Sequence, residues 1–161
     1  MHILMKCLGN KINDFNHKRV NDYIKDKLEI KDVLFRGLTI EEVLSYKFEV
    51  NRRIKFKRIT SFSSESHIAE TFAAERYMTN VLVVLKNANV FDYSTAMIDI
   101  LENLIAIEES GQTDDDKLNK LYDNLCMVDY EREFLLPINS ELTVKNIYFD
   151  SKKNMHIIEM E

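Results

Sequence analysis

The stretch EREFLLP, residues 131–137, reads as part of a β-strand over residues 130–136. At period two, Glu131 and Glu133 project from one face, and Tyr130 and Phe134 from the other with Arg132 between them. Strands follow at residues 142–149 and 155–160. Upstream, NVLVVLK at residues 80–86 is apolar enough to be a central strand, and residues 32–37 (DVLFRG) form a short buried strand ended by Gly37. Over residues 53–63, Ile54 and Phe56 alternate with Arg53, Lys55 and Lys57. This predicts one strand with an irregularity near Arg58, where the apolar phase shifts to Ile59.

Helices are expected between these strands. Phe15, Val20, Tyr23, Ile24 and Leu28 recur at helical intervals over residues 13–28. Residues 40–46 form a short helix. Residues 64–77 form another, with Ile68, Ala69, Phe72, Ala73 and Tyr77 on one side and Ser64 or Ser66 as its cap. Helices over 96–108 and 117–125 flank a solvated loop at 110–116. One helix, then strands, then helices and a strand-rich end predict an α+β fold.

The 161 residues suit one domain spanning 1–161 and not two. They are 45% hydrophobic and 30% charged, which fits a chain with a substantial core, and only three glycines and one proline argue against long linkers. Twenty-seven acidic residues outweigh 22 basic ones, giving a net charge of −5. That balance opposes a surface-wide nucleic-acid footprint but leaves room for a local basic patch. Arg52, Arg53, Lys55, Lys57 and Arg58 around Phe56 are such a candidate, against the plainer reading of a solvated strand face. Cys7 and Cys126 are too few and too far apart for a disulfide framework, and are expected as free thiols. The opening MHILMKCLGN lacks the marks of a signal peptide, and no apolar run is long enough to span a membrane. A cytoplasmic place, in the producing or the target cell, is expected. His67 and Glu70 lack a second histidine nearby, so no metal site is expected.

Three separated pieces belong together: LFRGL (34–38), ITSFSSE (59–65) and EREFLLP (131–137). Their order and spacing resemble the Arg-Ser-Glu class of mono-ADP-ribosyltransferases, the group with clostridial, cholera-like and phage enzymes, over residues 10–161. The resemblance implies two small sheets around an NAD⁺ cleft with N-terminal helices packed beside them. It implies that Arg36 holds the phosphates of NAD⁺, and that the backbone after it, at Gly37, meets the nicotinamide amide. A guanidinium fork suits that pyrophosphate, and glycine permits a close approach. Ser61-Phe62-Ser63 stands where the family has Ser-Thr-Ser. Both serines then face the cleft, with Ser61 holding the catalytic glutamate and Phe62 turned to the core. Glu133 is implied as the group that binds the ribose and stabilises its cation, and Glu131 as the one that prepares the acceptor. Phe72 stands where related enzymes place an aromatic against nicotinamide, with simple core packing as the alternative.

The activity that the resemblance implies is transfer of ADP-ribose from NAD⁺, with loss of nicotinamide, as by a bacterial or phage toxin or effector. Glu131 matches members that modify protein arginine. NAD⁺ hydrolysis, modification of nucleic acid, and an inactive binding module of the same fold are the rivals. The expected partners are a macromolecular acceptor, protein or nucleic acid, and a cognate inhibitor or antitoxin, with no membrane. With no Walker loop and no GxGxxG, NAD⁺ is not expected to bind in the Rossmann manner.

Overall fold

The computed structural model describes residues 2–10, 13–111 and 114–161. A 3-10 helix, Ile3–Asn10, and helix α1 (Asp14–Ile24) lead into strand β1 (Glu29–Gly37) and the short helix α2 (Ile40–Ser45). Strands β2 (Arg53–Lys55) and β3 (Thr60–Ser63) precede α3 (Ser66–Thr71), which passes into a π-helical turn at Phe72–Arg76. Then come β4 (Val81–Asp92), helices α4 (Tyr93–Glu109) and α5 (Asp115–Glu131), and strands β5 (Glu133–Leu136), β6 (Glu141–Asp150) and β7 (Met155–Met160). The α+β expectation holds. Gln112 and Thr113 of the expected loop lie outside the described residues.

The strands form one seven-stranded network in the order β1-β3-β5-β4-β7-β6-β2, with β1 also paired to β4. Two arms result. In one, β4 runs between antiparallel β1 and parallel β7, continued by β6 and β2; in the other, β3 and β5 bridge the ends of β1 and β4. The two small sheets expected from the resemblance are therefore joined through β1 and β4. Residues 80–86 are central, as their apolar run predicts, and the strand continues to Asp92.

Strand alternation sorts the core. Val83, Leu85, Phe62, Phe134, Leu136 and Ile158 pack between the arms. Their neighbours face outward: Leu82 and Ile157 meet Ala69 and Ala73 of the α3 segment. Leu135 meets Met97, Leu101, Leu121 and Val128 of α4 and α5, together with Leu4, Val20 and Ile24. Helix α4 forms because Met97, Leu101 and Ile105 make one buried stripe and the Asp92 side chain caps the Thr95 N–H. In α5, Asp114 caps the Lys117 N–H, and Asp115 and Asp116 favour the positive end of the helix.

Several expectations change. Residues 126–131 belong to α5, so Glu131 and Glu133 are not neighbours on one strand. Leu118, Leu121, Leu125 and Val128 carry a helical period that outweighs the short alternation beginning at Tyr130. Residues 53–63 are two strands with different partners, β2 on β6 and β3 on β1 and β5, because the phase shift at Ile59 moves the chain to the other arm. The first helix stops at Ile24 and β1 begins at Glu29. Neither Ser64 nor Ser66 caps α3: its N-cap is Glu65, whose N–H donates to Ser63 Oγ at 3.0 Å.

Candidate active site

A cleft of about 630 Å³ opens where β1, β3 and β5 meet, walled by α2 on one side and by α3 and its π turn on the other. The seven residues that the resemblance implicates all line it: Arg36, Gly37, Ser61, Ser63, Phe72, Glu131 and Glu133.

Arg36 lies on β1 between the core residues Leu34 and Leu38. Its Nε and Nη2 donate to Glu42 Oε1 at 3.3 and 2.7 Å. Nη1 donates to the Ser61 carbonyl at 2.9 Å and stands 3.5 Å from the Ser61 hydroxyl. Glu42 is itself tied down. Its Oε2 accepts the Thr39 N–H at 2.9 Å, and its own N–H donates to Thr39 Oγ1 at 3.2 Å, a reciprocal cap at the start of α2. Glu42 thus sets the plane of the guanidinium. The sequence reading missed it, although Thr39-x-x-Glu42 is legible as a capping box.

Glu131 is the last residue of α5 and Glu133 the first of β5. Between them Arg132 takes the left-handed conformation, with φ 47° and ψ 54°. That single inverted residue turns helix into strand while leaving both carboxylates on the cleft. The joint is bracketed by serines. Ser63 Oγ donates to the Glu131 carbonyl at 2.7 Å, and the Ser64 N–H donates to the Arg132 carbonyl at 3.2 Å. Ser94, buried at the start of α4, accepts the Glu133 N–H at 2.6 Å and donates to the Val128 carbonyl at 3.1 Å. Ser63 is therefore largely spent on the backbone, in place of the free cleft hydroxyl expected from its position. Ser61 is the serine whose hydroxyl favours the ionised form of Glu133.

Burial first, and then the nearby charge of Glu131, push the Glu133 carboxyl up to about 7, against the opposing pull of the Ser61 hydroxyl and Arg36. Burial also raises Glu131, while Arg76 lowers it. Cys7 shares the environment of Glu133: its thiol is pushed up to about 12 by burial and by that carboxyl. The phenol of Tyr93 is raised in the same way, by burial and then by Cys7, Glu133 and Glu131.

Gly37 lines the cleft and also has a packing role. A β-carbon there would stand 2.6 Å from Ala69 O and 2.6 Å from Ala73 N, so glycine admits the α3 segment. Phe72 is on the cleft wall, stacked on Tyr77 at 5.8 Å between centroids with the Arg76 guanidinium 5.2 Å from its ring. The basic cluster is dispersed. Arg52 and Arg53 pair with Glu49 and Glu141, Arg58 lines the cleft, and Lys55 on β2 and Lys57 in the connection after it stay exposed. Among the described residues no group of three His, Cys, Asp or Glu is placed to hold a metal, and no helix is long and apolar enough to cross a membrane.

The fold is that of the bacterial ADP-ribosyltransferases. It matches exoenzyme S of Pseudomonas aeruginosa with a TM-score of 0.57 at 10% identity, covering 99% of this chain and 64% of that one, so this chain spans less than two thirds of exoenzyme S. It matches C3stau2 of S. aureus, solved with NAD, with a TM-score of 0.55 at 14% identity, covering 98% and 76% of the two chains. The family model described as bacteriophage T4 Mod ADP-ribosyltransferase matches residues 1–158, and the chain belongs to that family. It is 28% identical over 144 residues to the NAD–protein ADP-ribosyltransferase modB of Enterobacteria phage T4, covering 84% of this chain and 68% of modB. The chain is accordingly an ADP-ribosyltransferase with NAD⁺ as its substrate.

Proposed function

We propose that this cleft transfers ADP-ribose from NAD⁺ to an arginine of a protein acceptor, with Arg36, Ser61, Glu133 and Glu131 as its working groups. The observation that carries the reading is the convergence, at one cleft, of a fixed guanidinium and two carboxyls raised by burial. Arg36 takes the pyrophosphate. Glu133, oriented by Ser61, binds the nicotinamide ribose. The bond from ribose to nicotinamide breaks, nicotinamide leaves with the electron pair, and the ionised Glu133 stabilises the cation left behind. The attacking nitrogen then loses a proton to Glu131. An arginine acceptor needs such a base, because a guanidinium is protonated at any ordinary pH. A Glu131 carboxylate raised by burial holds a proton better than an exposed one. The relative modB is named as acting on protein, which supports a protein acceptor here.

Labelled NAD⁺ and a cell lysate test this, with Glu133→Gln and Glu131→Gln beside the parent. Glu133→Gln is expected to abolish both NAD⁺ hydrolysis and transfer, and Glu131→Gln to abolish transfer while hydrolysis continues. Label released by protease supports the protein acceptor, whereas label released by nuclease overturns it. Equal loss of both activities in Glu131→Gln removes the division of labour.

A further inference from the structure

We infer that Ser94 is a positioning residue for Glu133, acting through the backbone. The inference rests on the role proposed for Glu133 in catalysis. The ladder between β4 and β5 pairs Phe91 with Leu135 and Asp92 with Phe134. Its next rung would hold Glu133, but the chain leaves the sheet at Tyr93 and winds into α4. Backbone can no longer receive the Glu133 N–H there. The Ser94 hydroxyl takes over the missing rung, accepting that N–H at 2.6 Å. Its own proton goes to the Val128 carbonyl at 3.1 Å, one turn before the end of α5.

A single buried hydroxyl thus ties three elements together at the residue that follows the inverted Arg132. Leu135, two residues on, is held by the hydrophobic core. Glu133 is the first residue of its strand, and the Ser94 bond holds its own backbone N–H beside the joint. Without it the N–H loses a buried partner, and the carboxylate shifts relative to Ser61 and the ribose. A misplacement of about 1 Å at a reacting group costs on the order of 100-fold in rate. Binding of NAD⁺ through Arg36, on another strand, is unaffected.

The test measures NAD⁺ hydrolysis by Ser94→Ala, Ser94→Cys and Ser94→Thr, with Glu133→Gln in parallel, well below each variant's melting midpoint. Ser94→Ala is expected to lower kcat at least about tenfold with KM within about twofold, and to shift the pH limb of kcat/KM that Glu133 governs. Threonine keeps the hydroxyl and restores kcat to within about threefold of the parent. Should alanine prevent folding, cysteine, with its weak donor and acceptor sulfur, carries the same expectation. A folded Ser94→Ala or Ser94→Cys with parent-like kcat, a fall confined to KM, or failure of folded Ser94→Thr to rescue overturns the inference. If Glu133→Gln is inactive while Ser94→Ala matches the parent, positioning alone fails. If Glu133→Gln still hydrolyses NAD⁺, the role given to Glu133 fails first.

Discussion

Glu133 sets chemistry and stability against each other. Its carboxyl is raised from 4.5 to about 7, so the unfolded chain ionises before the folded one does. A raised folded value contributes stability that is complete below the unfolded value and is lost as pH climbs through the folded one. Above that window the fold carries a buried charge at a cost of about 3 kcal/mol. Glu133→Gln is therefore expected to resist urea better than the parent at about pH 8, with the gain fading toward about pH 5. Equal urea midpoints at both values would refute this. Activity runs the other way: kcat/KM for hydrolysis should rise with pH through about 7, as the carboxyl ionises. At this scale the sequence was informative, because an arginine, serines and carboxylates set beside apolar strand residues stand out against their surroundings. Glu42, Arg76 and Ser94 were not legible as site residues, since what each does depends on which element folds across from it. The left-handed Arg132 was invisible too, as arginine carries no preference for positive φ.

Among the elements, the joint between α5 and β5 holds a residue in a strained conformation, and the contact of β1 with the α3 segment leaves no room for a side chain at Gly37; substitution can measure both. A non-glycine residue in the left-handed region costs about 1–2 kcal/mol, and the exposed Arg132–Asp129 pair returns at most about 1 kcal/mol. Arg132→Gly should stabilise the protein by about 0.5–1 kcal/mol in thermal melts, whereas Arg132→Val, β-branched, should destabilise it by about 1–2 kcal/mol. A destabilised glycine variant would show that the side chain matters more than the backbone. Gly37→Ala must displace backbone at Ala69 and Ala73, and overpacking of this kind costs about 1–3 kcal/mol. Because the displaced segment carries Phe72 and Arg76, NAD⁺ affinity measured by calorimetry should fall as well; unchanged affinity would separate that wall from the nucleotide. Periodicity located most elements but not every boundary. Residues 118–128 held a readable helical period, and the alternation after Tyr130 obscured where it ended. The division of residues 53–63 into two strands follows from pairing with β6 on one arm and β5 on the other, partners that no local pattern names.

At the scale of the whole molecule, the five basic residues after Asn51 do not add up to one field. Two of them are engaged by Glu49 and Glu141 and a third faces the cleft, so Lys55 and Lys57 act alone on a net charge of −5. Lys55→Gln/Lys57→Gln should leave hydrolysis and transfer each within about twofold of the parent, from low to physiological salt. Selective loss of transfer that salt reproduces would instead identify them as a recruiting patch. The joining of the two arms has a consequence for motion. β1 and β4 run unbroken from one arm into the other, so the arms cannot swing apart as separate bodies without breaking the ladder from Glu29 to Gly37. Opening of the groove by a hinge between the arms is thereby opposed, and breathing falls to the walls. Helix α2, which buries none of its residues yet carries the partner of Arg36, is the wall least held by the core. Amide exchange over residues 83–85 should be the same with and without NAD⁺, while exchange over residues 40–45 slows on binding.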